Sequence, residues 1–208
     1  MIDYLKNPDE IYRRSIELIL AETDFAAVPE DLRDVALRLV HASALPAIVT
    51  DLRASPGAAA IGRRALADGA PVLVDSRMVE HGIARATLAG ANAVMCALDQ
   101  PEAEARARRL GITRSAAAVE LWRDRFAGAV VAIGTAPTAL FRLIELLAEG
   151  APAPAIVLAF PVGMVGAAES KAALVADGHG VPYITLQGRL GGSAIAAAAV
   201  NALAGGTP

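Results

Sequence analysis

The chain has 208 residues, 55% hydrophobic, 20% charged and only 4% aromatic, so a sizeable core has to be built mostly from Ala, Val, Leu and Ile. At roughly 150 residues per domain this length suits one domain over residues 1–208. Nineteen basic against 22 acidic residues leave a formal charge of −3, which gives no global attraction to a nucleic-acid backbone and excludes a nonspecific nucleic-acid binder. The one cysteine, Cys96, excludes an internal disulfide and a cysteine-built metal cluster within the chain, in keeping with a reducing compartment.

The stretch Ile2–Pro8 has no basic segment running into an apolar one, so no signal peptide is expected and the expected location is the cytoplasm. Mean hydropathy is positive, yet every apolar run is interrupted by Gly, Pro or charge before the roughly 20 residues of a bilayer span. No membrane association is expected. The first predicted helix runs from Asn7 to Glu22: Asn7 caps it, Pro8 suits its first turn, and Ile11, Ile16, Leu18, Ile19 and Leu20 supply apolar positions. A second runs from Pro29 or Glu30 to about Ala44, with His41 on its last turn and Pro46 preventing continuation.

After Ser55-Pro56-Gly57, a helix over Ala58–Ala67 ends at Asp68-Gly69. Short, continuously apolar runs then alternate with helical sequence: 71–74, 93–96, 129–133, 155–159 and 181–184. Runs without polar alternation are those of strands covered on both faces. The expected fold is therefore α/β: a single-domain, doubly wound, mostly parallel sheet of about five strands with helices on both faces.

In such a sheet ligands gather beyond the carboxyl ends of the strands. Those positions are polar here: Asp75-Ser76-Arg77-Met78, Gly134 through Thr138, Pro161-Val162-Gly163 leading to Glu169-Ser170-Lys171, and Gly188-Arg189-Leu190-Gly191-Gly192-Ser193. The last segment opens an Ala-rich helix whose free N–H groups suit an anion, although its glycines equally suit a plain tight turn. Pro137 in turn has the simpler role of opening a helix. Neither a Walker P-loop nor a GxGxxG fingerprint is present. His179 lies between two glycines in an expected surface turn, and His81 in an expected loop, so both read as solvated. His41 sits on an apolar helix end with Arg38 three residues earlier, and serves either as a hydrogen-bonded core residue or as a proton donor. No histidine spacing suits a metal site. Arginines dominate the basic residues, and Arg13, Arg14, Arg77, Arg114 and Arg189 fall near element ends, where a planar fork of donors could meet carboxylates. Thr113-Arg114-Ser115 can cap the helix over Ala116–Trp122, alone or while binding an anion.

Taken together, Asp3-Tyr4 with Pro8 through Ser15, Arg38 through Ala42, Val74 through Val79, Thr113 through Ala117, Ala132 through Leu140, Pro161-Val162-Gly163 through Lys171, and Gly188-Arg189 with Gly191-Gly192-Ser193 resemble the precorrin-8X (or cobalt-precorrin-8) methylmutase family. The match follows chain order over nearly the whole length. It implies a cofactor-free isomerase that moves a methyl group from C11 to C12 of the corrin ring, giving hydrogenobyrinate or its cobalt counterpart. A homodimer with active sites near the subunit interface is implied too, as is transient contact with neighbouring corrin-pathway enzymes. The family's catalytic histidine falls on His41. With His41 in that role, Ser15, Arg38, Arg77, Arg114, Ser115, Arg189 and Ser193 are expected to orient the substrate carboxylates or the polar ring edge, with Arg14 and Lys171 as weaker candidates. Two departures are visible: Ser43-Ala44 replaces a Cys-Gly pair, and Thr135 stands where Asn is usual.

A methyl shift across a conjugated ring is helped by a proton donor that withdraws electrons from the ring, the role available to His41. Two other classes compete with this expectation. One is a non-catalytic corrinoid carrier; the other is a nucleotide-dependent α/β oxidoreductase, which the missing glycine fingerprint disfavours.

Overall fold

The computed structural model describes residues 2–90 and 92–205. Helix α1 (Pro8–Glu22) starts as the sequence dictates: the Asn7 side chain accepts from the N–H groups of Asp9 and Glu10, with Pro8 in the first turn. The second predicted helix is divided. A 3-10 turn, Glu30–Leu32, leads into α2 (Arg33–Ser43). Next come α3 (Ala58–Ala67), β2 (Val72–Val74), α4 (Arg77–Gly82), β3 (Val94–Cys96), α5 (Pro101–Leu110), α6 (Arg114–Glu120) and β4 (Val130–Ile133), with a short β1 (Leu52–Ala54) ahead of α3. The chain finishes with α7 (Pro137–Ala148), β5 (Ile156–Ala159), α8 (Ala167–Ala176), β6 (Tyr183–Leu186) and α9 (Ser193–Leu203).

Among the described residues the sheet has six strands in the order β1-β6-β5-β4-β2-β3, all parallel except for β1, which pairs antiparallel with β6 at one edge. Beyond the five expected strands, β1 is the addition. Leu-Arg-Ala has neither β-branched residues nor a continuous apolar run, and the exposed Arg53 at its centre marks an edge. The last strand lies two residues later than its apolar run: Pro182 has no N–H to give, whereas Thr185 and Leu186 are paired with β1. His81 belongs to the last turn of α4 instead of a loop, because Ser76 caps that helix and Val79 anchors it in the core.

Alternate strand residues face opposite layers, as the period of 2 requires. Val72, Val74, Val130, Ala132, Ile156, Leu158 and Ile184 join a core formed with α2, α3 and α9; Leu73, Val131, Ile133, Val157 and Ala159 join a second core beneath α5, α6 and α7. Each such fully buried Val, Leu or Ile contributes about 1.5–3 kcal/mol of transfer free energy, which is why strands of three or four residues suffice. After β3 at one edge the chain returns to place β4 on the other side of β2. This reversal opens a crevice beyond the carboxyl ends of β2 and β4.

Helix α2 ends at Ala44, which is left-handed (φ 53°) and donates its N–H to the Val40 carbonyl. Glycine is the residue that adopts this conformation without a Cβ penalty of about 1–2 kcal/mol. The penalty is partly offset by the extra freedom glycine has in the unfolded chain. Ala44→Gly is therefore expected to raise stability by about 1 kcal/mol, read as a higher urea midpoint with unchanged slope; a lower midpoint would contradict this account of the cap.

Candidate active site

The crevice is closed by a single carboxylate. Asp75, directly after β2 and 2% exposed, accepts from Gly134 N–H at 2.9 Å through Oδ1, and from Thr135 and Ala136 N–H at 2.8 Å each through Oδ2. Burial pushes its carboxyl above the ordinary carboxylate range, while these three donors pull it back by favouring the ionised form. Three hydroxyls meet beside it. Thr135 Oγ1 donates to Ser76 Oγ at 2.9 Å and lies 2.9 Å from Ser193 Oγ at the start of α9. Close packing makes this possible: a Cβ on Gly134 would stand 2.8 Å from Ala196 Cβ and 2.9 Å from Ser193 Cα.

From that point a cleft of about 370 Å³ runs along α9, lined by Ala194, Ala197, Ala198 and Asn201 with Arg38, His41 and Ala42 of α2 and Gly82 of α4. The residues 194, 197, 198 and 201 share one helical face, so three alanines form its apolar floor. Asn201 stitches α9 to the end of α4 by accepting from Ala84 N–H at 2.8 Å and donating to the Gly82 carbonyl at 3.0 Å. A Cβ on Gly82 would approach Ala197 Cβ to 2.7 Å. The half-buried His41 ring has its centroid 5.9 Å from that of Tyr12 on α1. Arg38, which also lines the cleft, has a buried Nε without a hydrogen-bond partner among the described residues. Burial pulls its guanidinium below its ordinary value, with the nearby Tyr12 opposing.

The expected site residues fall into separate groups. His41 and Arg38 share the cleft, and Ser15 stands on the α1 face that carries Tyr12, three residues on, with its Oγ donating to the Ile11 carbonyl at 2.9 Å. Ser193 joins the hydroxyl cluster. Arg114 and Ser115 open α6, where Thr113 caps Ala116 N–H and its hydroxyl lies 2.7 Å from that of Thr138 on α7. Arg189 is exposed in the loop between β6 and α9. Arg77 turns toward β3: it pairs with Asp99 at 2.9 Å and with Glu80, which hold its guanidinium above the ordinary value. It lines a different cavity of about 290 Å³, with Cys96, Trp122 and Arg125. Arg14 is exposed and paired with Glu17 at 3.3 Å. Lys171 is fully buried, and burial lowers its pKa to about 8, with Asp51 opposing. Its Nζ donates to the Leu190 carbonyl.

Asp75, Ser76, Tyr12 and Thr138 stand within sequence motifs without marking themselves as site residues, Thr135 stands out only as a departure from the family pattern, and Asn201 lies outside every motif. Asn201 carried a visible signal, as the one polar residue between Ala194 and Leu203. The clamp by Asp75 had none, because its three donors are backbone groups about 60 residues away. Among the described residues no group of three or more His, Cys, Asp or Glu side chains is placed to hold a metal ion, and no helix is long and apolar enough to cross a membrane.

The family model for precorrin-8X methylmutase, CbiC, matches residues 10–205. The chain belongs to the precorrin-8X methylmutase family. It is 55% identical to a precorrin-8X methylmutase of Pseudomonas aeruginosa over 98% of both chains. It is 50% identical to one of a Sinorhizobium species over 97% of this chain and 96% of the other. A solved structure of precorrin-8X methylmutase from Thermus thermophilus superposes with a TM-score of 0.85 at 35% identity, covering 96% of this chain and 98% of that one. The family carries out the corrin-ring methyl shift of cobalamin biosynthesis, so the chain is an enzyme of the isomerase class acting on precorrin-8X.

Proposed function

We propose that His41 supplies the proton transfer for the methyl shift from C11 to C12, acting on metal-free precorrin-8X and giving hydrogenobyrinate. The observation that carries this reading is the placement of His41: a half-buried imidazole over an alanine floor, beside an Arg38 Nε that has no partner among the described residues. The flat apolar ring lies against Ala194, Ala197 and Ala198. Imidazolium donates a proton to the ring, drawing electron density from the conjugated system; the methyl group migrates on one face; the imidazole then recovers the proton. No atom is gained or lost. As a general acid and base His41 contributes roughly 10²- to 10⁴-fold in rate, the remainder coming from holding the ring in a reactive geometry. The metal-free substrate is favoured because the Pseudomonas aeruginosa and Sinorhizobium relatives, 55% and 50% identical, carry the precorrin-8X name.

The carboxylate arms of the substrate meet Ser15, Arg38, Arg114, Ser115, Arg189 and Ser193. Arg77 joins them only by exchanging Asp99 and Glu80 for a substrate carboxylate, and Arg14 only by leaving Glu17. The chain works as a cytoplasmic single domain, transiently meeting neighbouring enzymes of the pathway. It acts as a homodimer. A cleft of about 370 Å³ lies at the small end of ligand sites, so a four-ring macrocycle with its arms extends beyond it. Beside it α1 buries none of its residues and leaves Ile11, Leu18 and Leu20 exposed at 43%, 40% and 57%. A second copy covering α1 supplies the missing wall.

Mixing the protein with precorrin-8X and following the visible spectrum tests the chemistry. Unmodified protein is expected to convert it, and His41→Ala to do so roughly 10²- to 10⁴-fold more slowly with its fold intact. Normal turnover by His41→Ala would remove the histidine from the mechanism; binding without conversion by both proteins would favour a carrier, or a cobalt-containing substrate tested next with cobalt-precorrin-8. Sedimentation equilibrium is expected to give twice the 21.3 kDa chain mass, falling to one when Leu18 and Leu20 are replaced by Asp. A monomeric unmodified protein would contradict the shared site.

A further inference from the structure

Lys171 is a cation with no exposed surface, and its ammonium is directed at one backbone carbonyl, that of Leu190. Removing an ammonium from water is costly, and replacing such a group with an apolar one of similar shape is often neutral or stabilising. Fold stability is therefore a poor account of this lysine. The carbonyl it grips lies midway along the segment from Gln187 to Gly192, between β6 and α9. The same segment is held at both ends. Gln187 N–H donates to the Asp51 carbonyl at 2.8 Å, and Gly192 N–H to the Phe160 carbonyl at 2.8 Å. Gly191 lies so close to the end of β5 that a Cβ there would stand 2.3 Å from the Phe160 oxygen. Gly188 (φ 77°) and Gly192 (φ 126°) supply the turns. Between the fixed points stands Arg189, exposed and without an ion-pair partner among the described residues; Ser193 follows at the head of α9.

We propose that Lys171 is a positioning residue for substrate binding: by gripping the Leu190 carbonyl it sets the loop in which Arg189 meets a carboxylate of the corrinoid. The proposal rests on the reading that Arg189 contacts the substrate. It replaces the expectation of direct contact by Lys171, whose ammonium no ligand reaches while the loop is closed. An exposed arginine on a glycine-rich loop loses much conformational freedom when it binds, and a loop already held in place loses less.

A double-mutant cycle tests this, with the dissociation constant for hydrogenobyrinate read from visible titration. Arg189→Ala is expected to weaken binding about ten-fold or more, as for loss of a charge-assisted hydrogen bond. Lys171→Met is expected to weaken it by a comparable factor without lowering the urea midpoint. The double variant should bind no worse than Arg189→Ala alone, because the lysine acts through the arginine. Lys171→Gln, which keeps a donor, should recover part of the affinity; it takes the place of Lys171→Met in the cycle should that variant fail to fold. Unchanged affinity in Lys171→Met, or losses that multiply in the double variant, would overturn the positioning role and leave Arg189 as a substrate contact. Unchanged affinity in Arg189→Ala would overturn the reading of Arg189 and this proposal with it.

Discussion

The carboxylate of Asp75 ties together the two strands between which the sheet reverses its order. By accepting three successive N–H groups from Gly134, Thr135 and Ala136, it fixes the end of β4 to the end of β2 and sets the entry to α7. Those N–H groups are buried or half-buried and lie beyond the sheet ladder, so without an acceptor each would cost about 1–3 kcal/mol. The positions of Thr135, Ser76 and Ser193 follow from this tie, and with them the approach of α9 to α4 and the line of the alanine floor under His41. The clamp touches no substrate in this account. Its role is to decide where the groups that do so are held.

Small residues extend that constraint along the cleft. Gly134 and Gly82 permit contacts with α9 that a Cβ would prevent, and the alanines of α9 leave room above them for a flat ring. Asn201 closes the far end by satisfying the backbone where α4 finishes. At the near end Lys171 holds the loop before α9. The resulting site is apolar and closely packed along its floor and charged at its margins, the pairing expected for an apolar macrocycle ringed by carboxylates.

Much of this was legible in the sequence because parallel strands covered on both faces have to be continuously apolar. The five parallel strands followed from that rule, and the Asn7, Ser55-Pro56-Gly57 and Pro137 punctuation from capping and turn preferences. The edge strand at Leu52 did not, since its pairing with β6 is a tertiary event without a local pattern. His41 could be singled out from its apolar helix end, whereas its partners could not. Tyr12 approaches through helix packing, and the backbone donors around Asp75 have no side-chain signature. Arg77 illustrates the opposite limit. Its residue type and position suggested a ligand contact, yet Asp99, 22 residues away, takes up its guanidinium, and only the fold brings that carboxylate within reach. Ala44 and Thr135, visible as departures from the family pattern, acquire physical content from a left-handed cap and a hydroxyl bridge.

The most direct test of the central claim is the effect of Asp75→Asn on both folding stability and hydrogenobyrinate affinity. The amide retains the shape but offers one accepting oxygen where the carboxylate offers two, and turns an NH₂ toward at least one N–H. The account predicts a loss of about 2–4 kcal/mol in stability from donors left unpaired, together with corrinoid binding at least ten-fold weaker in the protein that remains folded. Stability and affinity both matching the unmodified protein would show that the strand ends are held by packing alone, and that Asp75 does not organise the site.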